Sequence, residues 1–404
     1  MSNWLCFQIG AREHYAIPTA LEQRGQLKSL VTDAWMTPQS PINLLPKSVF
    51  SNFRERHHSQ LFGASVKSFN DSLIRFELGQ KINRQSGWDA IIARNNWFQK
   101  KSIGFLNLLA TQIKEPINIF AYSYAALEIF KFAKNQGWQT ILGQIDPGIY
   151  EEKIVRQEYK LYQRHYSEYQ LAPKQYWNSW QQECQLADRI IVNSSWSKKA
   201  LKKTGIDSNK ISTIPLAYTP PDETKSFKRA YPNSFSQERP LKVLFLGQIV
   251  LRKGVARVFE AIKNLENYPM EFIFVGPIDI FIPREIRNSS KVKFLGSVSR
   301  SSTAKYYKQA DVFLFPTLSD GFGLTQLEAQ AWQLPLISSQ YCGSVVEDKI
   351  NGLKLLEVTS ENITNALLFC FSNPQILYKY SRNSIRNLEC YSLSRIGKEL
   401  QNLN

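Results

Sequence analysis

Short, unbroken apolar runs alternate with polar stretches of helical character along most of the chain. Trp4 to Ile9 is the first run. The loop Gly10-Ala11-Arg12-Glu13-His14-Tyr15 follows, then a helical stretch from Pro18 to about Arg24, then a second run from Leu27 to Val31. Runs that are apolar throughout, without alternation, predict strands covered on both faces, as in a parallel sheet. The order strand, glycine loop, helix, strand is the beginning of a doubly wound sheet. Trp88 to Ala93, Ile117 to Ala121 and Thr140 to Gln144 are further short apolar runs, and Ala125 to Asn135 is a helical stretch closed by Gly137. A long polar and aromatic helical region spans Glu151 to Ala187. Arg189 to Asn193 then reads as a strand, Ser195 to Thr204 as a short helix, and Ile211 to Ile214 leads into Pro215. Residues 38 to 75 are less regular. Pro38, Pro41, Pro46 and the polar run Arg54-Glu55-Arg56-His57-His58 suit helices that border a cleft.

The pattern changes at residues 219–240, where Pro220, Pro221, Pro232 and Pro240 are mixed with Asp222, Lys225, Ser234 and Ser236. This composition predicts a polar linker. A new sheet begins at Lys242-Val243-Leu244-Phe245-Leu246-Gly247. Phe272 to Gly276, Lys291 to Gly296, Val312 to Phe315 and Leu336 to Ser338 supply its further strands. A chain of 404 residues exceeds one ordinary domain. The expectation is an α/β protein with two Rossmann-like doubly wound halves, residues 1–218 and 241–384, joined by 219–240 and facing each other across a cleft.

Hydrophobic residues at 43% and aromatics at 13% can fill two cores. The formal net charge of +16 is spread over both halves. Such an excess suits nucleotide diphosphates, anionic lipid surfaces or nucleic acid. No helix-turn-helix, zinc-finger or RNA-recognition pattern accompanies it, so nucleic acid is not an expected partner. Cys6, Cys184, Cys342, Cys370 and Cys390 are odd in number and widely spaced, which fits reduced thiols in a cytoplasm. The first residues, Met1 to Phe7, are too short and uncharged for a signal peptide. No apolar run reaches the roughly 18 residues of a membrane span. The expected location is cytoplasmic, with the inner face of the membrane as a peripheral alternative. No Cys/His cluster has zinc spacing, and neither a Gly-x-Ser-x-Gly elbow nor a phosphate-loop Gly-Lys-Ser/Thr is present.

The segment Pro316-Thr317-Leu318-Ser319-Asp320-Gly321-Phe322-Gly323-Leu324-Thr325-Gln326-Leu327-Glu328-Ala329 carries the most chemistry. It follows the buried-strand run Asp311 to Phe315. Pro316 ends that strand, and Gly321 and Gly323 let the backbone approach a ligand closely. Free N–H groups where a helix opens attract anionic or hydroxyl-rich ligands. One carboxylate, Asp320, lies in the loop, and Glu328 follows two turns into the helix. A capping aspartate in an ordinary strand–turn–helix would explain Asp320 alone. The full segment resembles the sugar-nucleotide signature of the family 4 glycosyltransferases, which have the GT-B fold. That resemblance implies a retaining, metal-independent transfer of a sugar from a UDP- or GDP-linked donor. It gives Asp320 the transferred sugar, Glu328 the ribose, and Gly321, Phe322, Gly323 and Leu324 the sugar and phosphate. The family usually has Glu first, so Asp320 is one methylene shorter. Metal-dependent glycosyltransferases of the other major fold need an Asp-x-Asp pair, which this chain lacks.

Gly247-Gln248-Ile249-Val250-Leu251-Arg252-Lys253-Gly254 resembles the family's loop that supplies cations to the leaving diphosphate. Lys253 matches, Gln248 stands where Arg is common, and Arg252 is the substitute. Gly276 and Val298, in the loops Val275-Gly276-Pro277 and Gly296-Ser297-Val298-Ser299, correspond to the nucleobase cradle. Arg300 matches no usable position. Ser344 stands where the family's closing segment commonly has Glu. Ala187 to Ser195 and Ile214-Pro215-Leu216 resemble fold-marking stretches, with Asp188 a helix or turn anchor. The first half supplies acceptor-side or phosphate candidates in Gly10, Arg12, His14 and Asp146. Glu151 and Glu152 read as complements to a helix dipole. Tyr159, Tyr162, Tyr166 and Tyr169, interleaved with Lys153, Arg156, Lys160 and Arg164, read first as a buried stripe and second as a face for an anionic membrane. The resemblance also implies that the segment from about Ile385 to 404 is helical and crosses back to the first half. The acceptor would be a glycan, a lipid-linked precursor or a small molecule. A GT-B epimerase or hydrolase and a catalytically silent sugar-nucleotide binder are the alternatives. Oligomeric state is not readable.

Overall fold

The computed structural model describes residues 3–36, 56–113, 115–163 and 169–403. Pro38, Pro41, Pro46, Arg54, Glu55, Arg164 and Tyr166 lie outside these residues.

Two parallel sheets form the frame. The first contains β1 (Asn3–Gln8), β2 (Leu27–Thr32), β3 (Val66–Ser68), β4 (Ile117–Tyr122), β5 (Gln139–Gln144), β6 (Arg189–Val192) and β7 (Ile211–Thr213), in the order β3-β2-β1-β4-β5-β6-β7. The second contains β8 (Leu241–Leu246), β9 (Met270–Val275), β10 (Val292–Phe294), β11 (Val312–Phe315), β12 (Leu336–Ser339) and β13 (Gly352–Leu355), in the order β10-β9-β8-β11-β12-β13. Every paired register is parallel. The unbroken apolar runs are explained by this layering. In β1, Leu5 and Phe7 enter one core with Val31 and Ile119, while Trp4 and Cys6 enter another with Leu30 and Phe120. Both faces are therefore covered. In the second sheet, Val243 and Phe245 face one core, and Leu244, with Phe313 and Phe315, faces the other.

The chain order reverses between β1 and β4 in the first sheet and between β8 and β11 in the second. The carboxyl ends at such switch points are where α/β sheets leave a crevice. Gly10 to Tyr15 follows β1, Gly247 to Gly254 follows β8, and Pro316 to Gly323 follows β11.

Three elements differ from the sequence-based expectation. Trp88 to Ala93 is not a strand but part of the helix Gly87–Ala110, with Trp97, Phe98 and Leu106 packed inward. An apolar run this short has no periodicity that separates strand from buried helix. The described residues of the region Glu151 to Ala187 contain two helices, Ile149–Leu161 and Lys174–Leu186. The 219–240 stretch is not a free tether. Phe235 is buried in the second core, and the guanidinium of buried Arg229 donates to the carbonyls of Tyr307, Ala310, Trp332 and Gln333. Its single turn of helix, Asp222–Lys225, precedes that anchor.

The helix Leu393–Gln401 lies against Ala16–Glu22 of the first lobe. Ile396, Leu400 and Leu403 share a core with Trp4 and Leu21, and Arg24 donates to Gln401 at 2.5 Å. Among the described residues no helix is long and apolar enough to cross a membrane. Cys6, Cys184, Cys342 and Cys370 are buried free thiols, and Cys390 is an exposed one.

Candidate active site between the two sheets

The turn after β8 and the loop after β11 meet because they leave neighbouring strands on the same side of the sheet. Gly254 closes the first turn with φ 73°, and a Cβ there would lie 2.1 Å from the Pro316 carbonyl oxygen. Only glycine permits both that left-handed backbone and that approach. Gly323 is constrained in the same way, with φ 83° and the Phe315 ring 2.4 Å from a notional Cβ.

This juxtaposition brings Asp320 against Lys253, whose ammonium contacts the carboxylate and also stands 4.6 Å from the centre of the Phe315 ring. Arg252 Nη1 lies 3.5 Å from Asp320 Oδ2 and donates to the Ser319 carbonyl at 2.9 Å. Burial alone raises the Asp320 pKa. The Lys253 and Arg252 cations and the Phe322 amide outweigh it, so the carboxyl stays below its ordinary value and is ionised at neutral pH. A cavity of about 390 Å³ opens here, lined by Lys253, Arg252, Asp320 and the Phe322–Thr325 turn on one side, and by Arg12 and Asn193 on the other. Two fixed cations, an ionised carboxylate and a glycine turn in one cavity can hold an anionic group beside a hydroxyl-bearing one.

Glu328 lies outside the lining of this cavity, on the helix Thr325–Ala331. The buried Tyr307 hydroxyl donates to Glu328 Oε2 at 2.8 Å. Burial, then the Glu328 charge, raises the Tyr307 pKa well above its usual value, so this phenol stays a donor. Gly247 and Gly276 act on one another: a Cβ on Gly276 would lie 1.9 Å from the Gly247 carbonyl oxygen, and Gly247 lines the cavity. Val298 is half-buried and packs on the core that contains Phe313 and Phe322.

The first-half candidates separate. The Gly10 amide donates to Asp33 Oδ1 at 2.8 Å, and buried Asp33 also pairs with Arg56 and Arg94. Arg12 reaches the cavity. His14 faces a second cavity of about 530 Å³, where Arg300 Nη1 donates to its Nδ1 at 3.1 Å across the cleft. Arginine can only donate, so the His14 proton rests on Nε2. Desolvation in the cleft, with Arg300 and His58 adding to it, pushes the His14 pKa down to about 4. Glu13 lines both cavities, and Glu13-His14-Tyr15 has successive φ values of 50°, 52° and 60°. Left-handed backbone at three consecutive non-glycine residues costs about 1 kcal/mol or more each and is seen where the surroundings enforce it. Asp146 is committed to its own turn. Its Oδ1 accepts from the Gly148 amide at 2.8 Å, from Gln144 at 3.1 Å and from the Tyr124 hydroxyl at 2.5 Å. Asp188 accepts from the Thr140 amide and pairs with Lys134.

Several side chains at the cleft had no sequence signal. Glu151 is not a helix-dipole complement alone: its Oε2 accepts from Ser319 at 2.8 Å and its Oε1 lies 3.6 Å from Arg252 Nε. Glu152 instead staples its own lobe, accepting from the Ala172 amide and from Trp177. Arg300 contacts His14. Trp196 donates to Ser319, and Ser195 meets Ser344 at 3.1 Å. The described tyrosines of the stripe, Tyr159, Tyr162 and Tyr169, are half-buried. Tyr159 and Tyr169 pack on each other with ring centres 5.3 Å apart, and Tyr162 donates to Glu260 of the other lobe, while Lys153, Arg156 and Lys160 are exposed. Among the described residues no His, Cys, Asp or Glu cluster could hold a metal.

Residues 240–373 match the family of Glycosyl transferases group 1. Over these residues the chain is similar to that family. The whole chain superposes on Anabaena HepE in complex with UDP with a TM-score of 0.61, covering 100% of this chain and 99% of that one at 14% identity. It superposes on the sucrose-phosphate synthase of Thermosynechococcus elongatus at 0.66, covering 100% and 98% at 16% identity. These likenesses establish the GT-B fold. Among curated proteins, alpha-monoglucosyldiacylglycerol synthase of Acholeplasma laidlawii is 28% identical over 170 residues, which is 40% of this chain and 42% of that protein. A capsular polysaccharide biosynthesis glycosyltransferase of Staphylococcus aureus, CapM, is 23% identical over 183 residues, 41% and 46%. The chain thus matches less than half the length of these relatives.

Proposed function

We propose that this domain and its partner lobe form a family 4 glycosyltransferase that moves a sugar, with retention and without a metal, from a nucleotide-diphosphate sugar to an acceptor hydroxyl. The observation that carries this reading is the convergence of Arg252, Lys253 and Asp320 from the carboxyl ends of β8 and β11 into one cavity. In this reading residues 1–218 face the acceptor and 241–384 hold the donor. Lys253 and Arg252 take the departing diphosphate, whose growing negative charge they stabilise without reorganising. Asp320 accepts from sugar hydroxyls, with the Phe322–Leu324 turn beside the phosphate. Glu328, held by Tyr307, accepts from the ribose, and Gly247, Gly276 and Val298 border the base. Arg12 and His14 approach from the first lobe. HepE was solved with UDP and with UDP-glucose, which makes UDP-sugars the first donors to test. A lipid-linked or polysaccharide acceptor is in keeping with the glycolipid and capsule enzymes among the relatives.

The test is thermal unfolding with a panel of UDP- and GDP-sugars, repeated with Lys253→Ala and Glu328→Gln. A stabilisation by one base series that both variants lose supports the reading. No stabilisation by any sugar nucleotide overturns it.

A further inference from the structure

Glu151 opens the helix Ile149–Leu161 of the first lobe, yet its carboxylate is spent on the second. Ser319 donates to one oxygen at 2.8 Å, and Arg252 Nε faces the other at 3.6 Å. Ser319 is itself fixed by Trp196, another first-lobe residue, at 3.1 Å. Glu151 does not line the cavity that holds Arg252, Lys253 and Asp320. It contacts Arg252, which does line the cavity, and Ser319, which does not. Glu152, its neighbour, has no such contact.

We propose that Glu151 is a cross-lobe positioning residue of the donor site, which holds Arg252 while the site is empty and yields it to an incoming diphosphate by taking up a proton. The inference rests on the donor-site reading above and adds a residue and a proton to it. The surroundings set the direction. Burial pushes the Glu151 pKa up to about 7; Arg252 and the Ser319 hydroxyl oppose the rise, and Asp146 and Asp320 add to it. Tyr169 also stands near. Among the described residues Arg252 is the cation paired with this carboxylate, so a diphosphate that draws off Arg252 favours its neutralisation by a proton.

The experiment is calorimetric titration of the full chain with UDP- and GDP-sugars, whose diphosphates stay fully ionised across the range, at pH 6 to 8 and in two buffers of different ionisation enthalpy. Wild type, Glu151→Gln and Lys253→Ala are compared. The expected result is proton uptake by wild type near pH 7 to 8, and an affinity that falls by up to about tenfold per pH unit above 7. Glu151→Gln, which keeps an acceptor for Ser319, takes up no proton, has a flat profile and binds more tightly than wild type at pH 8. Binding by wild type without proton uptake, or an unchanged profile in Glu151→Gln, overturns the inference and leaves the donor site standing. Failure of wild type to bind any sugar nucleotide, or full binding by Lys253→Ala, overturns the donor-site reading and this inference with it.

Discussion

At the residue scale the cleft is a contest over a few charges. Asp320 stays ionised because two cations outweigh its burial, whereas Glu151 has one weaker partner and two acidic neighbours. A carboxyl whose folded pKa is raised stabilises the fold below its unfolded pKa and loses that contribution as pH rises through the folded value. For Glu151 the window runs from its ordinary value of 4.5 to about 7. Glu151→Gln is therefore expected to remove a downward slope of up to about 1.4 kcal/mol per pH unit in that window, read from denaturant unfolding at pH 5, 6 and 7. An identical slope in the variant would show that the carboxyl titrates normally. Asp320→Ala should lower turnover by roughly a hundredfold or more while nucleotide affinity changes little, in keeping with its proposed place beside the sugar. Tyr307→Phe removes the 2.8 Å hydrogen bond that orients Glu328. It should weaken nucleotide binding about threefold to tenfold, in keeping with one hydrogen bond of about 1 kcal/mol. Equal nucleotide affinity in wild type and Tyr307→Phe would remove Tyr307 from the site.

At the element scale, close backbone approaches do the positioning. The turn after β8 touches the loop after β11 through Gly254, where both φ and space exclude a side chain. Gly254→Ala should cost about 2 kcal/mol or more, seen as a lower melting temperature of the second lobe. A variant as stable as wild type would mean that the turn can shift. The apolar runs of nearly all these strands could be read directly, because a strand buried on both faces leaves an unbroken pattern. The signature loop and the Lys253-Gly254 turn were readable for a related reason: glycine, proline and charge at fixed spacing reflect local backbone needs. Trp88 to Ala93 misled because a helix lying on a sheet can be equally apolar over so short a stretch.

At the scale of the whole molecule, the helix Ile149–Leu161 grips the second lobe along its length. Glu151 meets Arg252 at one end, and Glu158, buried to 3% side-chain exposure, takes both Nε and Nη2 of Arg257 at 3.0 and 2.7 Å. Tyr162 reaches Glu260 beyond. Gly321 lies so near the first lobe that a Cβ would stand 2.2 Å from the Ile145 carbonyl oxygen. Glu158→Ala leaves Arg257 without its buried partner and should favour separation of the lobes by about 3 kcal/mol. Solution scattering should show a larger radius of gyration, and hydrogen exchange should rise along that helix. Unchanged scattering and exchange would mean that the pair contributes nothing to closure. Lobes that close on a donor exclude water from the reacting centre.

What the sequence by itself determined is the doubly wound character of both halves, the turn chemistry after β8 and β11, and the presence of Lys253 and Asp320 in the loops after strands and of Glu328 in the helix that follows. These are local properties, set by side-chain periodicity and backbone freedom within a few residues. Only the tertiary structure decided which charges face one another. Arg257 and Glu158 are 99 positions apart, and Ser319 and Glu151 are 168 apart. A glutamate at a helix start looks the same in the sequence whether it serves its own helix, as Glu152 serves its own lobe, or reaches across a cleft, as Glu151 does. That difference depends on how two separately folded sheets are set against each other, and no local pattern records it.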